Sequence, residues 1–290
     1  MSPMSEIGLT CLRELKRNLR SAKGVVMAVL FLLGGGAASL VYAAVSQLAG
    51  AKDVPAEALR ADREELWRRV FDNADIGRYL SDSPLFFVAL FKALWWLIPF
   101  LTLLIGFDQL CADRQHRTIR FDVIRARRSS LVVGKALSLW IVVSVLVLAL
   151  QLFTWIVSLA LGGSDVWTTL SWGGRFWLLC VVCIGTWSGL TVLMSSWTRR
   201  PILALFVGLA AFSGLALGDL VTYAIASAAT VKPDWWVSKF APARFAFPGF
   251  YQQWLVTPHA PQMLGAIALL LAVGAAATAG AAWVLNRSDV

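Results

Sequence analysis

Charge is scarce in this chain, and histidine is scarcer. Only 15% of its 290 residues are Asp, Glu, Lys or Arg, and two, His116 and His259, are histidine. No His-Glu-x-x-His run occurs, and the two histidines lie in separate segments, which argues against metal-dependent hydrolysis. No Gly-rich loop ends in Lys-Ser or Lys-Thr, so the polypeptide is not expected to hydrolyse a nucleoside triphosphate itself. Asp219 follows Gly218, but Ala216 stands two residues before that glycine, so the Gly-x-Gly-Asp signature of intramembrane aspartyl proteases is missing. No internal repeat suggests an inverted-repeat secondary transporter. The cysteines are four: Cys11, Cys111, Cys180 and Cys183. Two fall in cytoplasmic segments of the topology derived below and two within an apolar run, which leaves no external disulfide framework. Cys180-x-x-Cys183 reads most simply as two small residues on a helix, because no His or carboxylate lies nearby to complete a metal shell.

What the chain has in abundance is apolar sequence, 58% of residues, with a mean hydropathy of +0.69. A bilayer core of roughly 30 Å needs about 20 apolar helical residues. Six runs reach that length: Gly24–Leu48, Leu85–Phe107, Ala136–Leu161, Gly174–Trp197, Pro201–Ile225 and Met263–Leu285. Lipid offers no partners to bare backbone groups, so each run must be helical. The expectation is an all-α polytopic membrane protein with six transmembrane helices, forming one domain over residues 1–290.

The net charge of +9 is explained by orientation rather than by nucleic acid. Fifteen Lys and Arg fall on one side of the alternating topology, five within residues 1–23 and seven within 107–135. The other side's segments hold ten, six of them in the long acidic segment 51–84. The positive-inside rule therefore places both termini and the 107–135 stretch in the cytoplasm, where anionic lipid adds attraction. The first apolar run is longer than a signal-peptide core and shows no clear cleavage site, so it is kept as a span.

Residues 6–23 carry Gly8, Cys11, Leu12, Leu15, Leu19 and Ala22 at helical spacing, with Arg13, Lys16, Arg17 and Arg20 elsewhere on the wheel. That pattern suits a helix lying in the inner interface. In the first span, Gly34, Gly35 and Ala38 would allow another helix to approach closely, as would Gly214-x-x-x-Gly218 in the fifth. External segment 51–84 predicts a helix after Pro55 with Leu59, Leu66, Trp67, Val70 and Phe71 as its apolar set. Lys92 in the second span and Gln151 in the third are ionisable or polar groups at membrane depth, which marks them as pathway or gate candidates. The competing readings are a snorkelling lysine and an interhelical hydrogen bond. External segment 226–262 has five prolines and a crowd of aromatics, including Trp235 and Phe247, and by itself reads as an interfacial belt.

The polar stretch FDQLCADRQHRTIRFDVIRARRSSLVVGK, residues 107–135, lies between two apolar runs and is a handle on which something outside the membrane can pull. From position alone, a solvated basic loop that only fixes topology is an equal reading. Asp108, then Asp113, Arg117-Thr118-Ile119, a basic cluster and Gly134-Lys135 together resemble the first cytoplasmic loop of ABC-2-type transporter permeases. Six spans and a basic amphipathic N-terminal helix agree with that family in order over the whole chain. Arg117 stands where the family usually has Gly, and no Pro precedes Arg127-Arg128.

The resemblance implies a coupling helix within 108–135 that seats in a groove of a separate ATP-binding subunit. Ile119, Phe121, Val123 and Ile124 would supply apolar anchors. Arg114, Arg117 and Arg120 would supply charge complementarity, with Asp113 and Thr118 in the same motif. For segment 226–262 the resemblance implies a re-entrant element that shapes the exit, with Trp235 and Phe247 as pathway candidates. It further implies an exporter subunit in a bacterial cytoplasmic (inner) membrane, paired with a second permease and two ATP-binding subunits. This chain would then bind no cofactor, with ATP and Mg on the partner. Membrane lipid is an expected partner and nucleic acid is not. Two alternatives stand beside this reading. One is an intramembrane enzyme acting on lipid, for which Lys92, Arg175 and Asp219 are the titratable candidates. The other is an ATPase-independent scaffold of an envelope machine. The transported substrate leaves no residue signature.

Overall fold

A computed structural model describes residues 2–48, 56–116, 118, 126–160, 165–231 and 236–287. The described residues are helical throughout, without a strand. In chain order the α-helices are α1 (Pro3–Arg20), α2 (Ala22–Leu48), α3 (Ala56–Phe71), α4 (Ala74–Leu80), α5 (Leu85–Gly106) and α6 (Cys111–Gln115). They continue with α7 (Arg128–Ala160), α8 (Val166–Trp197), α9 (Pro201–Val231), α10 (Pro248–Val256) and α11 (Ala260–Arg287). A 3-10 helix, Trp236–Ala246, precedes α10. Five helices are long and apolar enough to cross a membrane, and a sixth crossing is reached if α1 and α2, bent by 68° from each other, count as one broken span.

That bend has a local cause. Ser21 leaves the helical region at φ −73°, ψ 147°, and its N–H still closes α1 on the Arg17 carbonyl. Its Oγ then accepts the N–H of Gly24 at 3.0 Å, so one residue ends α1 and caps α2. Helix α1 turns its one mid-helix carboxylate, Glu14, toward the bundle. Thr10 and Glu14 are buried against the bundle, whereas Leu12 and Leu19 are more than half exposed. Leu15 packs against the core, and the exposed side mixes Leu12 and Leu19 with Arg13, Lys16, Arg17 and Arg20, which suits an interface between headgroups and acyl chains.

Helix α8 is the centre of the bundle, packed against α5, α7, α9 and α11. Its closest crossing is with α11, where a Cβ on Gly274 would lie 2.9 Å from the Gly185 carbonyl oxygen, and one on Gly189 would overlap the Gly274 carbonyl. Only glycine permits that approach. Thr186 Oγ1 fastens the crossing by donating to the Leu270 carbonyl at 2.8 Å. Helix α7 starts at Arg128, so the last eight residues of the polar stretch are already helix.

The external segment folds as a hairpin of α3 and α4. Asp72 takes φ 51° after α3, and the Asn73 N–H returns to the Arg68 carbonyl at 3.2 Å, closing a Schellman turn. Asn73 Oδ1 then accepts from the N–H groups of Asp75 and Ile76, opening α4. Gly77 allows the two helices to touch, since a Cβ there would sit 2.8 Å from the Glu64 carbonyl oxygen. The apolar face differs from the expected one: Trp67 and Phe71 are buried with Ile76 and Leu80, while Leu59, Leu66 and Val70 face outward. Ion pairs Arg60–Asp82 at 2.7 Å and Glu65 with Arg68 and Arg69 lace the outside. Those two arginines, Arg68 first, hold the Glu65 carboxyl down at about 2.

Candidate functional site

The polar stretch is anchored to the bundle by a charge cluster whose centre, Glu14, Asp113 and Lys135, is buried and whose rim is the half-exposed Arg17. Lys135, at the base of α7, sends Nζ to Glu14 Oε1 of α1 at 2.8 Å and to Asp113 Oδ2 of α6 at 2.6 Å. Arg17 of α1 closes the ring, with 2.7 Å to Glu14 Oε2 and 3.2 Å to Asp113 Oδ1. The side chains of Glu14 and Lys135 are 0% exposed. Burying a lone charge costs several kcal/mol, about what it would cost to remove one partner from such a pair. With Arg13 adding a third contact to Glu14 at 3.5 Å from its half-exposed position, each buried acid meets two bases or more in this cluster. Gly134 makes it possible, because a Cβ there would fall 2.7 Å from the Thr10 Cβ and hold α1 away from α7. The Gly134-Lys135 pair thus has two distinct duties, close approach and charge.

Helix α6 has two further ties. Ser195 Oγ of α8 accepts the N–H groups of Leu110 and Cys111 at 3.0 and 3.2 Å, which satisfies donors left open at a helix start. Arg114 donates to the carbonyl of Ser196 in the last turn of α8. The next loop end is also held: Glu6 Oε2 accepts the Arg127 N–H at 3.1 Å, and Arg128 donates to the Leu285 and Asn286 carbonyls at the end of α11. The two ends of the stretch, α6 and Arg127–Arg128, are therefore fixed in position by α1, α7, α8 and α11.

Of the residues expected at an ATPase contact, Asp113 and Arg114 turn inward onto these partners, and Thr118 is exposed with its Oγ1 donating to the Asp113 carbonyl at 3.2 Å. Arg117, Ile119, Arg120, Phe121, Val123 and Ile124 lie outside the described residues, as does Trp235. Sequence reasoning did not single out Glu14, Arg17 and Lys135 as a unit. The available signal was Glu14 itself, the one carboxylate among the bases of Arg13–Arg20.

At the opposite end of the bundle a second polar site forms. Lys92 of α5 donates from Nζ to Gln252 Oε1 of α10 at 2.7 Å and stands 4.8 Å from the centre of the Phe71 ring. With Asp219 and Tyr223 of α9, Arg244 of the 3-10 helix and Gln253 of α10, it lines a cavity of about 240 Å³. Gln253 also donates to the Phe71 carbonyl at 2.8 Å, tying the α3–α4 hairpin to this site. Arg175 is separate from it: this guanidinium donates to Tyr79 and to the Thr257 carbonyl, clasping α4 to the entry of α11. Of the three titratable residues considered for lipid chemistry, two therefore share a cavity and the third does not.

Gln151 is buried and donates to Cys180 Sγ at 3.8 Å, joining α7 to α8. The ring of Phe247 covers Gly218. Gly35 faces Leu150 of α7, with 3.3 Å from a built Cβ to the Leu150 carbonyl oxygen, whereas Gly34 and Gly214 meet nothing within 4 Å. Gly35 and Gly218 thus serve contacts within the chain, and Gly34 and Gly214 stay on open surface. The Ala38 side chain lies outside what is described. The close Gly185–Gly189 crossing, which the spacing Gly-x-x-x-Gly offered, is the small-residue contact that sequence reasoning passed over.

No curated protein matches the sequence. A family model does, that of the ABC-2 family transporter proteins, over residues 11–290. It spans α1 through α11, including the charge cluster and the polar stretch. Membership implies a membrane permease that associates with an ABC ATP-binding subunit. With its helical bundle and the match over nearly its whole length, the chain belongs to the ABC-2 family of transporter proteins.

Proposed function

We propose that this chain is the transmembrane permease subunit of an exporter in a bacterial cytoplasmic membrane, with both termini cytoplasmic. A separate ATP-binding subunit would grip the stretch 115–127, two copies serving a pair of permeases. ATP and Mg would be held by that partner. Nucleotide binding would draw the two ATP-binding subunits together, and the stretch would hand that displacement to the bundle. A ligand shifts a conformational equilibrium only through different contacts with its two states, and nucleotide-dependent docking supplies such a difference.

The observation that carries this reading is the charge cluster Glu14–Lys135–Asp113–Arg17. A loop that merely fixed topology would need only exposed basic residues. Here its two ends are bonded to four helices, so a force applied to it reaches the bundle rather than dissipating in slack chain. Asp113 and Arg114 serve as anchors in this scheme, and the docking contacts fall to Arg117, Thr118, Ile119, Arg120, Phe121 and Ile124. Gly34 and Gly214, open in the single chain, are the better candidates for permease pairing. The test is co-purification with the ATP-binding subunit. Phe121→Ala or Arg117→Glu should abolish recovery of that subunit while leaving the permease folded; full recovery with both variants would refute the contact.

A further inference from the structure

The polar cavity at the far end of the bundle is not needed for coupling, and its chemistry identifies a ligand class. We infer that it is a headgroup site for a phospholipid, binding the phosphate ester with Lys92, Arg244 and Gln252 and leaving the acyl chains outside along α9.

Three donors converge there. Lys92 reaches the cavity from α5 and spends one of its three N–H groups on Gln252. Gln252 is 2% exposed, and its Nε2 has no hydrogen-bond partner among the described residues. An amide donor buried without a partner is costly, and the cavity it lines is where an acceptor would relieve that cost. Arg244 lies over the rings of Tyr223 and Phe250, at 5.1 and 5.4 Å from their centres, which orients its guanidinium beside the same space. A phosphodiester accepts from such donors through charge-assisted bonds. Asp219 supplies the one carboxylate of the lining among the described residues and rests against Gly249. Two cations and one carboxylate match a headgroup that carries both phosphate and amine.

The size and surroundings favour a lipid over a soluble phosphate ester. About 240 Å³ accommodates a headgroup but not two acyl chains. Deeper in, the space narrows to an aromatic crevice of about 20 Å³ between Trp96, Trp187 and Phe212, which shuts off that direction. Sideways the route is open. Leu220 lines the cavity and is 62% exposed, on the same apolar surface of α9 as Leu217 and Val221. Chains leaving past Leu220 would lie on leucine and valine, the surface that lipid already wets.

The test uses purified full-length protein in detergent with phosphatidylethanolamine carrying a fluorescent tail. The probe should bind saturably, and diacylglycerol with the same tails should not. Lys92→Gln combined with Arg244→Gln should weaken binding by about tenfold or more, whereas the surface change Arg63→Gln should have no effect. Lys92→Arg with Arg244→Lys keeps both charges and should retain binding, which separates lost recognition from lost folding. Asp219→Asn should move preference from phosphatidylethanolamine towards phosphatidylglycerol, a change that general destabilisation would not produce. Equal binding of diacylglycerol, or unchanged binding by the double Gln variant, would overturn the site. Displacement of the probe by glycerophosphoethanolamine at concentrations similar to the lipid would overturn the lipid assignment in favour of a soluble ester. None of these readouts involves an ATP-binding subunit, so they stand or fall apart from the coupling proposal.

Discussion

Lys135 shows how a single side chain can decide whether this fold holds together. It is wholly buried and serves two carboxylates at once. Lys135→Met would leave Glu14 and Asp113 with the half-exposed Arg17 and, for Glu14, Arg13 at 3.5 Å, and should lower stability by about 3 kcal/mol or more, read as unfolding midpoint in detergent. Asp113→Asn should cost clearly less, because Lys135 keeps Glu14. Equal losses would mean the cluster is not shared in the way the distances indicate. The polar residues of the cluster could not be assembled from sequence for a simple reason: Glu14 and Lys135 lie 121 residues apart, and Arg17 and Asp113 lie 96 apart. Asp113 was visible as part of a motif, but not the direction in which it points. Its position beside a basic cluster suggested an outward contact, and desolvated partners on two other helices turned it inward.

At the scale of the helices, the long apolar runs were legible because a bilayer imposes a length that few soluble sequences satisfy by chance. Their ends were less so. Helix α7 begins eight residues before its apolar run, held by Glu6 and Arg128 rather than by hydropathy. Helix α4 has seven residues and depends on the Schellman turn at Asp72–Asn73 and the contact at Gly77, so periodicity offered little to read. The inward face of α1 was not legible either: Glu14 is buried by partners on other helices, while Leu12 and Leu19 stay exposed beside the basic residues. Two predictions belong here. Gly189→Leu should force α8 from α11 against the Gly274 carbonyl and destabilise by about 2 kcal/mol or more, while Gly214→Leu, on open surface, should be tolerated by the single chain. The hairpin α3–α4 should also loosen in acid. Glu65 drops from its ordinary 4.5 to about 2 in the fold, so its contribution is complete above 4.5 and is lost as pH falls towards 2. Amide exchange across α3 should accelerate in that window, and Glu65→Gln should remove the part of the acceleration due to this residue.

For the whole molecule, the two ends of the bundle divide the work. One end carries the charge cluster and the two fixed ends of the polar stretch, gathering α1, α6, α7, α8 and α11. The other carries the α3–α4 hairpin, the 3-10 helix and the headgroup-sized cavity. Helices α5, α8 and α9 run between them, so a displacement at one end has rigid elements by which to reach the other. Apolar side chains along α2 and α9 stay exposed in the single chain, among them Leu33, Leu40, Phe206 and Leu217, and lipid or a second copy must cover them. The most direct measurement of the central claim is photo-crosslinking from positions 118 and 121 in intact membranes. The account predicts crosslinks from both to a soluble ATP-binding protein, lost when the crosslinker is moved to buried Ser138. Crosslinks only to lipid, or labelling of position 118 solely by a membrane-impermeant reagent added from the opposite side, would contradict it.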